Sequence, residues 1–377
     1  MARTTKKVSD MTNNIVTVTL DQVDNILKLH SMANRSASKK KQTPPIMFHS
    51  SPGVGKTQKI NEYYSKPTAK FPEGRTVHTW ILSLLDPTDI KGIPAADKSD
   101  PKKWVTKWLI SNYLANVQPN DVIFVDEISR ATELVRASFL TLFQDRKLGD
   151  FILPEGVDII AAMNDSDIGV MKMSAAMNNR FTHYYLVSDA QSWAKEYAPE
   201  AGVHVHWQAF ITSNPQHLDD FQRDQAAFPS PRSIENASIL LTEAEELIKS
   251  GEISKEDSKF LIESALTGTI GKGVTLEFLA FRRDLENAKE CNLPAILANP
   301  TGVDIPKRDD LKYATCLGLA HIADRTNLDA IYTYIKRYEK KEFQVLCFSS
   351  LLKKHPELYT HSAVSKFNHQ HGNVVSG

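Results

Sequence analysis

Residues 49–58, HSSPGVGKTQ, set a lysine and a hydroxyl residue directly behind two closely spaced glycines. That order suits the binding of a polyphosphate. Gly53 and Gly55 let the backbone turn its N–H groups inward around phosphate oxygens, with Ser51, Pro52 and Val54 completing the loop and Pro52 stiffening it. Lys56 has the reach to meet β- and γ-phosphate oxygens, and the Thr57 hydroxyl is a ligand for Mg²⁺. The general pattern is G-x-x-x-x-G-K-[ST], and here Ser50 stands in the place of its first glycine. A serine suffices there if the local φ is negative. Taken alone, the stretch also reads as a glycine-containing turn before a surface lysine.

Further groups follow along the chain. In DVIFVDEISRA, residues 121–131, an apolar strand delivers Asp126 and Glu127 to its C-terminal end, where open α/β sheets bind ligands. Asp126 is the expected Mg²⁺ holder, directly or through water, and Glu127 the expected general base for an attacking water. DIIAAMND ends a strand at Asn164, which suits orienting that water, or is simply a turn residue. SAAMNNRF ends a helical stretch at Arg180, and FPSPRSIEN puts Arg232 at a helix start. A guanidinium fork suits a γ-phosphate because it neutralises spread charge. Each arginine alone reads as a surface residue; their order behind the other motifs favours the phosphate.

The elements needed to position these groups are legible. IMFH (46–49), VHTWILS (77–83), VIFV (122–125), DIIAAM (158–163) and HYYLV (183–187) read as short strands, nearly continuous in hydrophobicity. Helical patterns alternate with them, notably at 132–147, and predict a mostly parallel sheet covered on both faces. After about residue 188 the strand signal gives way to helices through about 352, and the last dozen residues read as disordered. The chain of 377 residues is 41% hydrophobic, enough for one large or two ordinary cores. Lys+Arg and Asp+Glu both number 45, so no global field draws the chain to nucleic acid or an anionic membrane. Cys291, Cys316 and Cys347 lack metal-ligand spacing and read as reduced thiols of a cytoplasmic protein. No apolar run approaches the roughly 18 residues of a membrane span. HVHW (204–207) places His204 and His206 on one face if it is a strand, without a third ligand at metal spacing.

The order of these motifs resembles that of AAA+ ATPases, and the details resemble the MoxR-type branch. LLDPTDIKG (84–92) and DEISRA are similar to stretches of MoxR proteins. DRKLGDFILPEGVDIIAAMN, followed by NNRF and FPSPRSIE, is similar to a bacterial and phage MoxR-like subgroup. The resemblance covers about residues 15 to 290. It implies an AAA+ P-loop αβα core over 14–187, an all-helical lid over 188–298, and leaves 299–377 as extra C-terminal helices with a disordered tail, behind a disordered 1–13. It also implies ATP and Mg²⁺ as ligands and a homo-oligomeric ring, usually a hexamer. Within that scheme Asn164 matches sensor 1, Arg180 the arginine finger reaching the next subunit, and Arg232 the sensor 2 arginine of the lid. A partner protein bearing a von Willebrand factor A domain is a further implication.

The same branch carries a helical insert at the mouth of its ring, here residues 84–112, and a hairpin at 147–157. Trp104 and Trp108, four apart, share one face if the insert is helical, either to meet a client or to pack on the core. The expected function is ATP-driven remodelling or activation of a partner protein. Two alternatives stand beside it: an ATP-gated scaffold with negligible turnover, and a nucleic-acid motor or loader using Lys102, Lys103 and Lys107 as a local basic track.

Overall fold

The computed structural model describes residues 15–36, 43–148, 150–164, 173–222 and 224–372. The disorder expected for 1–13 lies outside the described residues. The chain divides into two compact units, 1–187 and 188–377.

The first unit is built on six strands: β1 (Val16–Thr19), β2 (Ile46–Ser50), β3 (Val77–Ile81), β6 (Val122–Asp126), β9 (Asp158–Asn164) and β10 (Thr182–Val187), ordered β1-β10-β2-β9-β6-β3. All five pairings are parallel. Because side chains alternate along a strand, each strand feeds two cores. Ile46, Phe48, Val122, Phe124, Ile160 and Ala162 pack with Val23 and Leu27 of α1 (Leu20–Ser36) and Ile60 and Tyr64 of α2 (Lys56–Ser65). Met47, Ile123, Val125, Ile159 and Ala161 pack instead with Val135, Phe139 and Leu142 of α3 (Glu133–Asp145). The result is an αβα sandwich, and burial on both faces accounts for the unbroken apolar runs in the sequence.

At the start of β9 the sandwich encloses a charge. Asp158 pairs with Arg75 at 2.5 Å, and their side chains are only 8% and 5% exposed. Asn34 donates to the same carboxylate at 2.8 Å, and Ser31 of α1 also donates to it. Arg75 gives its remaining donors to the Ser31 hydroxyl and to the carbonyls of Asn120, Asp121 and Gly156. One ion pair thereby ties α1 to the segments leading into β3, β6 and β9.

Two smaller hairpins decorate the unit. β4 (Ile93–Asp97) and β5 (Val105–Leu109) pair antiparallel, so the insert at 84–112, expected to be helical, has one short helix, Pro87–Lys91, followed by a hairpin. Val105, Thr106 and Trp108 favour a strand, and Gly92 introduces β4 at φ 83. Trp108 lies in β5 and Trp104 just before it, and they are 38% and 63% exposed. Lys98 sits 4.5 Å over the Trp104 ring. β7 (Lys147–Leu148) and β8 (Phe151–Ile152) form the second, very short hairpin.

The described residues of the second unit form helices joined by loops, with no strand among them, and no described helix is long and apolar enough to cross a membrane. Trp207 of α4 (Val205–Ser213) stacks on Phe278 with ring centroids 3.5 Å apart, at the centre of a core shared with α5 (Pro231–Lys249), α6 (Lys255–Ile270) and α7 (Lys272–Asn287). HVHW is therefore a helix start and not a strand. His204 caps α4 by accepting from the His206 N–H at 3.1 Å, and Trp207, Phe210 and Ile211 are buried behind it. A second core joins α8 (Asp309–His321), α9 (Leu328–Ile335), α10 (Lys341–Lys354) and α11 (Ser362–His371), and includes the buried free thiols of Cys316 and Cys347. α11 corrects the disorder expected for the last dozen residues over 366–371. Its polar composition hides three anchors, Ala363, Val364 and Phe367, the last stacked on Phe348 at 4.2 Å.

Two stability outcomes follow. Arg75→Ala strands a buried carboxylate and should cost about 3–5 kcal/mol, read as a lowered urea midpoint. Burial, reinforced by His204 and Arg282, lowers the His206 pKa to about 3. The unfolded chain, with a His pKa near 6.5, then binds the proton first, so this contribution is complete above about pH 6.5 and shrinks as pH falls towards 3. By pH 5 wild type should have lost about 2 kcal/mol that His206→Gln does not lose, measured as the difference in their pH 7 to pH 5 shifts.

Candidate nucleotide-binding site

The parallel register brings the chemistry together. Ser50 ends β2 opposite Asn164, which ends the adjacent β9, and Asp126 ends β6 on the far side of β9. All three therefore lie at the carboxyl edge of the sheet, where α2 begins.

The loop between β2 and α2 has Gly53 at φ 82 and Gly55 at φ 99, left-handed conformations that only glycine adopts without strain. Ser50 differs. It is the last residue of a strand, fully buried, and is not among the positive-φ residues. Nothing in its backbone calls for glycine, and its hydroxyl has work of its own: it donates to the Ser51 carbonyl at 2.6 Å and accepts from Lys56 Nζ at 2.5 Å.

Lys56 is only 8% exposed, and its ammonium also donates to Asn164 Oδ1 at 2.7 Å. Next to it Thr57 Oγ1 donates to Asp126 Oδ2 at 3.0 Å, while Asp126 Oδ1 accepts from the Glu127 N–H at 2.8 Å. Glu127 stands at φ 54, a conformation disfavoured for a non-glycine residue. That twist separates the two adjacent carboxylates, so that Glu127 Oε2 accepts from Ser83 Oγ at 2.5 Å and Arg130 lies 3.7 Å from Oε1. The hydroxyl–carboxylate pair of Thr57 and Asp126 is an all-oxygen donor set suited to a hard cation such as Mg²⁺. Gly53, Gly55 and Lys56 supply the complementary surface for phosphate oxygens.

The expected residues do not all meet. Ser50, Lys56 and Asn164 form one hydrogen-bonded group and Thr57, Asp126 and Glu127 another, the two meeting where Lys56 adjoins Thr57. Arg180 is half-buried on the turn after the short helix Ala175–Asn178, and gives Nε and Nη2 to Gln144 Oε1 of α3 at 3.0 and 2.5 Å. Arg232 belongs to the second unit, exposed on the first turn of α5 behind the Ser230 cap. Sequence reasoning missed Ser83 as the partner of Glu127. Its signal is slight: a hydroxyl just past β3, the strand paired with β6.

Since Ser50 has no need of glycine's conformations, Ser50→Gly should change ATP affinity by less than about tenfold in isothermal titration. A larger gain would mean that serine constrains the loop.

Residues 47–181 match the AAA domain of the dynein-related subfamily. No curated protein sequence matches the chain. Among solved structures, the Thermotoga maritima RuvB Holliday junction branch migration motor is 16% identical, over 81% of this chain and 91% of that one, at a TM-score of 0.40. A protein of Cytophaga hutchinsonii, provisionally described as an ATPase, is 15% identical over 74% and 93%, at a TM-score of 0.30. Superpositions this loose leave the domain match and the strand order to define the fold. Residues 47–181 thus match an AAA domain and have the AAA+ P-loop NTPase fold, on a chain with additional C-terminal helices.

Proposed function

We propose that the protein is a Mg²⁺-dependent ATPase that works as a ring of identical subunits, six by resemblance to the MoxR-type branch, and remodels or activates a partner protein. The observation that carries the reading is the meeting, at adjacent residues on the sheet's carboxyl edge, of the Lys56–Asn164 contact with the Thr57–Asp126–Glu127 group.

In this reading Lys56 exchanges Ser50 and Asn164 for β- and γ-phosphate oxygens of ATP, cradled by the backbone N–H groups of Gly53, Val54 and Gly55. Thr57 and Asp126 would hold Mg²⁺, which would supply charge neutralisation to the phosphates. Asn164, freed from the ammonium, orients water, and Glu127 takes its proton as the oxygen attacks the γ-phosphorus. The bond to the ADP oxygen breaks, and ADP and phosphate leave. Arg180 supports a role on the neighbouring subunit's γ-phosphate, because the partners that hold its guanidinium are neutral, the Gln144 amide oxygen and the Ala176 carbonyl. Arg232 serves as the lid's arginine. A partner with a von Willebrand factor A domain fits the same reading, as does a site in the cytoplasm.

Lys56→Ala should lose ATP binding, and Glu127→Gln should bind ATP and fail to cleave it, both read by titration and phosphate release. Wild-type turnover by Lys56→Ala sinks the assignment. Mixing Arg180→Ala with Lys56→Ala chains should restore part of the activity, since arginine fingers contribute roughly 10³–10⁵ in rate. No recovery despite demonstrated subunit exchange removes the trans role. Turnover that requires single-stranded DNA would favour the nucleic-acid motor, and binding without turnover the scaffold.

A further inference from the structure

Two histidines outside the cluster join its strand to the turn that carries Arg180. His49 stands one residue before Ser50 in β2, buried at 7% exposure, and His183 lies in the adjacent β10. His49 Nε2 and His183 Nδ1 are 2.8 Å apart, and His183 Nε2 is 2.8 Å from the carbonyl oxygen of Asn178. That carbonyl ends the short helix preceding Arg180.

The carbonyl sets the direction of the whole chain. It only accepts, so His183 Nε2 carries the hydrogen. In the neutral ring Nδ1 is then an acceptor, and His49 Nε2 must be the donor to it. Each tautomer is fixed by the next partner, from β2 outward to the turn. The same turn is braced from α3: Phe143 lies 4.9 Å from Phe181, and Phe181 lies 6.2 Å from His183, in edge-to-face geometry. Gln144 of α3 holds Arg180 itself.

We propose that His49 and His183 form a directed relay that couples the phosphate loop's strand to the Arg180 turn, making His183 a positioning residue for that arginine. The proposal rests on Arg180 acting on a neighbouring subunit's nucleotide. It assigns no chemical step to either imidazole. A shift of β2 as its loop closes on phosphate is passed through two hydrogen bonds to Asn178, two residues before the guanidinium's own backbone.

His183→Phe keeps the ring and removes both hydrogen bonds, whereas the amide of His183→Gln offers a donor and an acceptor in their place. In assembled rings His183→Phe should lower kcat about tenfold, as the loss of a net hydrogen bond allows, with ATP affinity within about twofold of wild type. His183→Gln should recover most of it. The decisive arm is a mixture. Chains carrying both His183→Phe and Lys56→Ala only lend an arginine, and with Arg180→Ala chains they should give about tenfold less turnover than Lys56→Ala chains do. Equal turnover in the two mixtures overturns the proposal. Two readouts do not depend on hydrolysis. Imidazole ¹⁵N shifts should report both histidines as Nε2–H tautomers, and ADP should alter amide exchange over 174–181 in wild type and His183→Gln but not in His183→Phe. An Nδ1–H His183, or an ADP response that survives His183→Phe, also overturns the relay. Absence of turnover in wild type would count against the ATPase reading instead.

Discussion

A lysine only 8% exposed is the constraint around which the phosphate-binding end is organised. A charge so poorly solvated is tolerated only if hydrogen-bonded on several sides. Lys56 meets that demand with Ser50 from β2 and Asn164 from β9, residues that end neighbouring strands in register. These two partners come together because the sheet places β9 directly beside β2, and both are neutral. Neutral acceptors can be surrendered to a phosphate without leaving a buried charge unpaired. A carboxylate in either place would bind the lysine more strongly and repel the ligand. The serine that replaces the expected glycine is thus part of the resting arrangement.

The opposite end of the sheet solves a related problem differently. Arg75 and Asp158 are both charged and both buried, and a full set of carbonyls, hydroxyls and amides satisfies them. Such a pair adds little net stability over an apolar replacement but strongly penalises any arrangement that separates its members. It fixes where β9 begins, while Asn164 at the other end of the same strand meets the lysine. One strand therefore carries a rigid anchor at its start and an exchangeable contact at its finish.

Much of this was legible because it obeys short-range rules. Unbroken apolar runs marked β2, β6 and β9, and glycine spacing marked the loop. Adjacent carboxylates marked the end of β6, although only the structure shows that a positive φ at Glu127 turns them apart. The insert misled because spacing of four residues puts Trp104 and Trp108 on one side of a helix and of a strand alike, and periodicity cannot separate the two in so short a stretch. HVHW failed for another reason: a histidine serving as a helix cap is a side-chain-to-backbone contact with no strong sequence signature. α11 hid behind lysine, asparagine and histidine because three buried positions suffice to dock one face. The Arg75–Asp158 pair, spanning 83 positions, leaves no local trace at all.

The interleaved strand order also has a consequence for synthesis on the ribosome. β2 lies between β9 and β10, and Ile46 pairs with Ile160 and Thr182. At about 5–20 residues per second, the strand leading into the phosphate loop waits on the order of ten seconds for either neighbour to be translated. Until then its apolar residues have no native sheet to join, and such long-range closure is intrinsically slow. The segment most central to the finished domain is among the last to find its place, and a chaperone that shields nascent chains would find its binding sequence there.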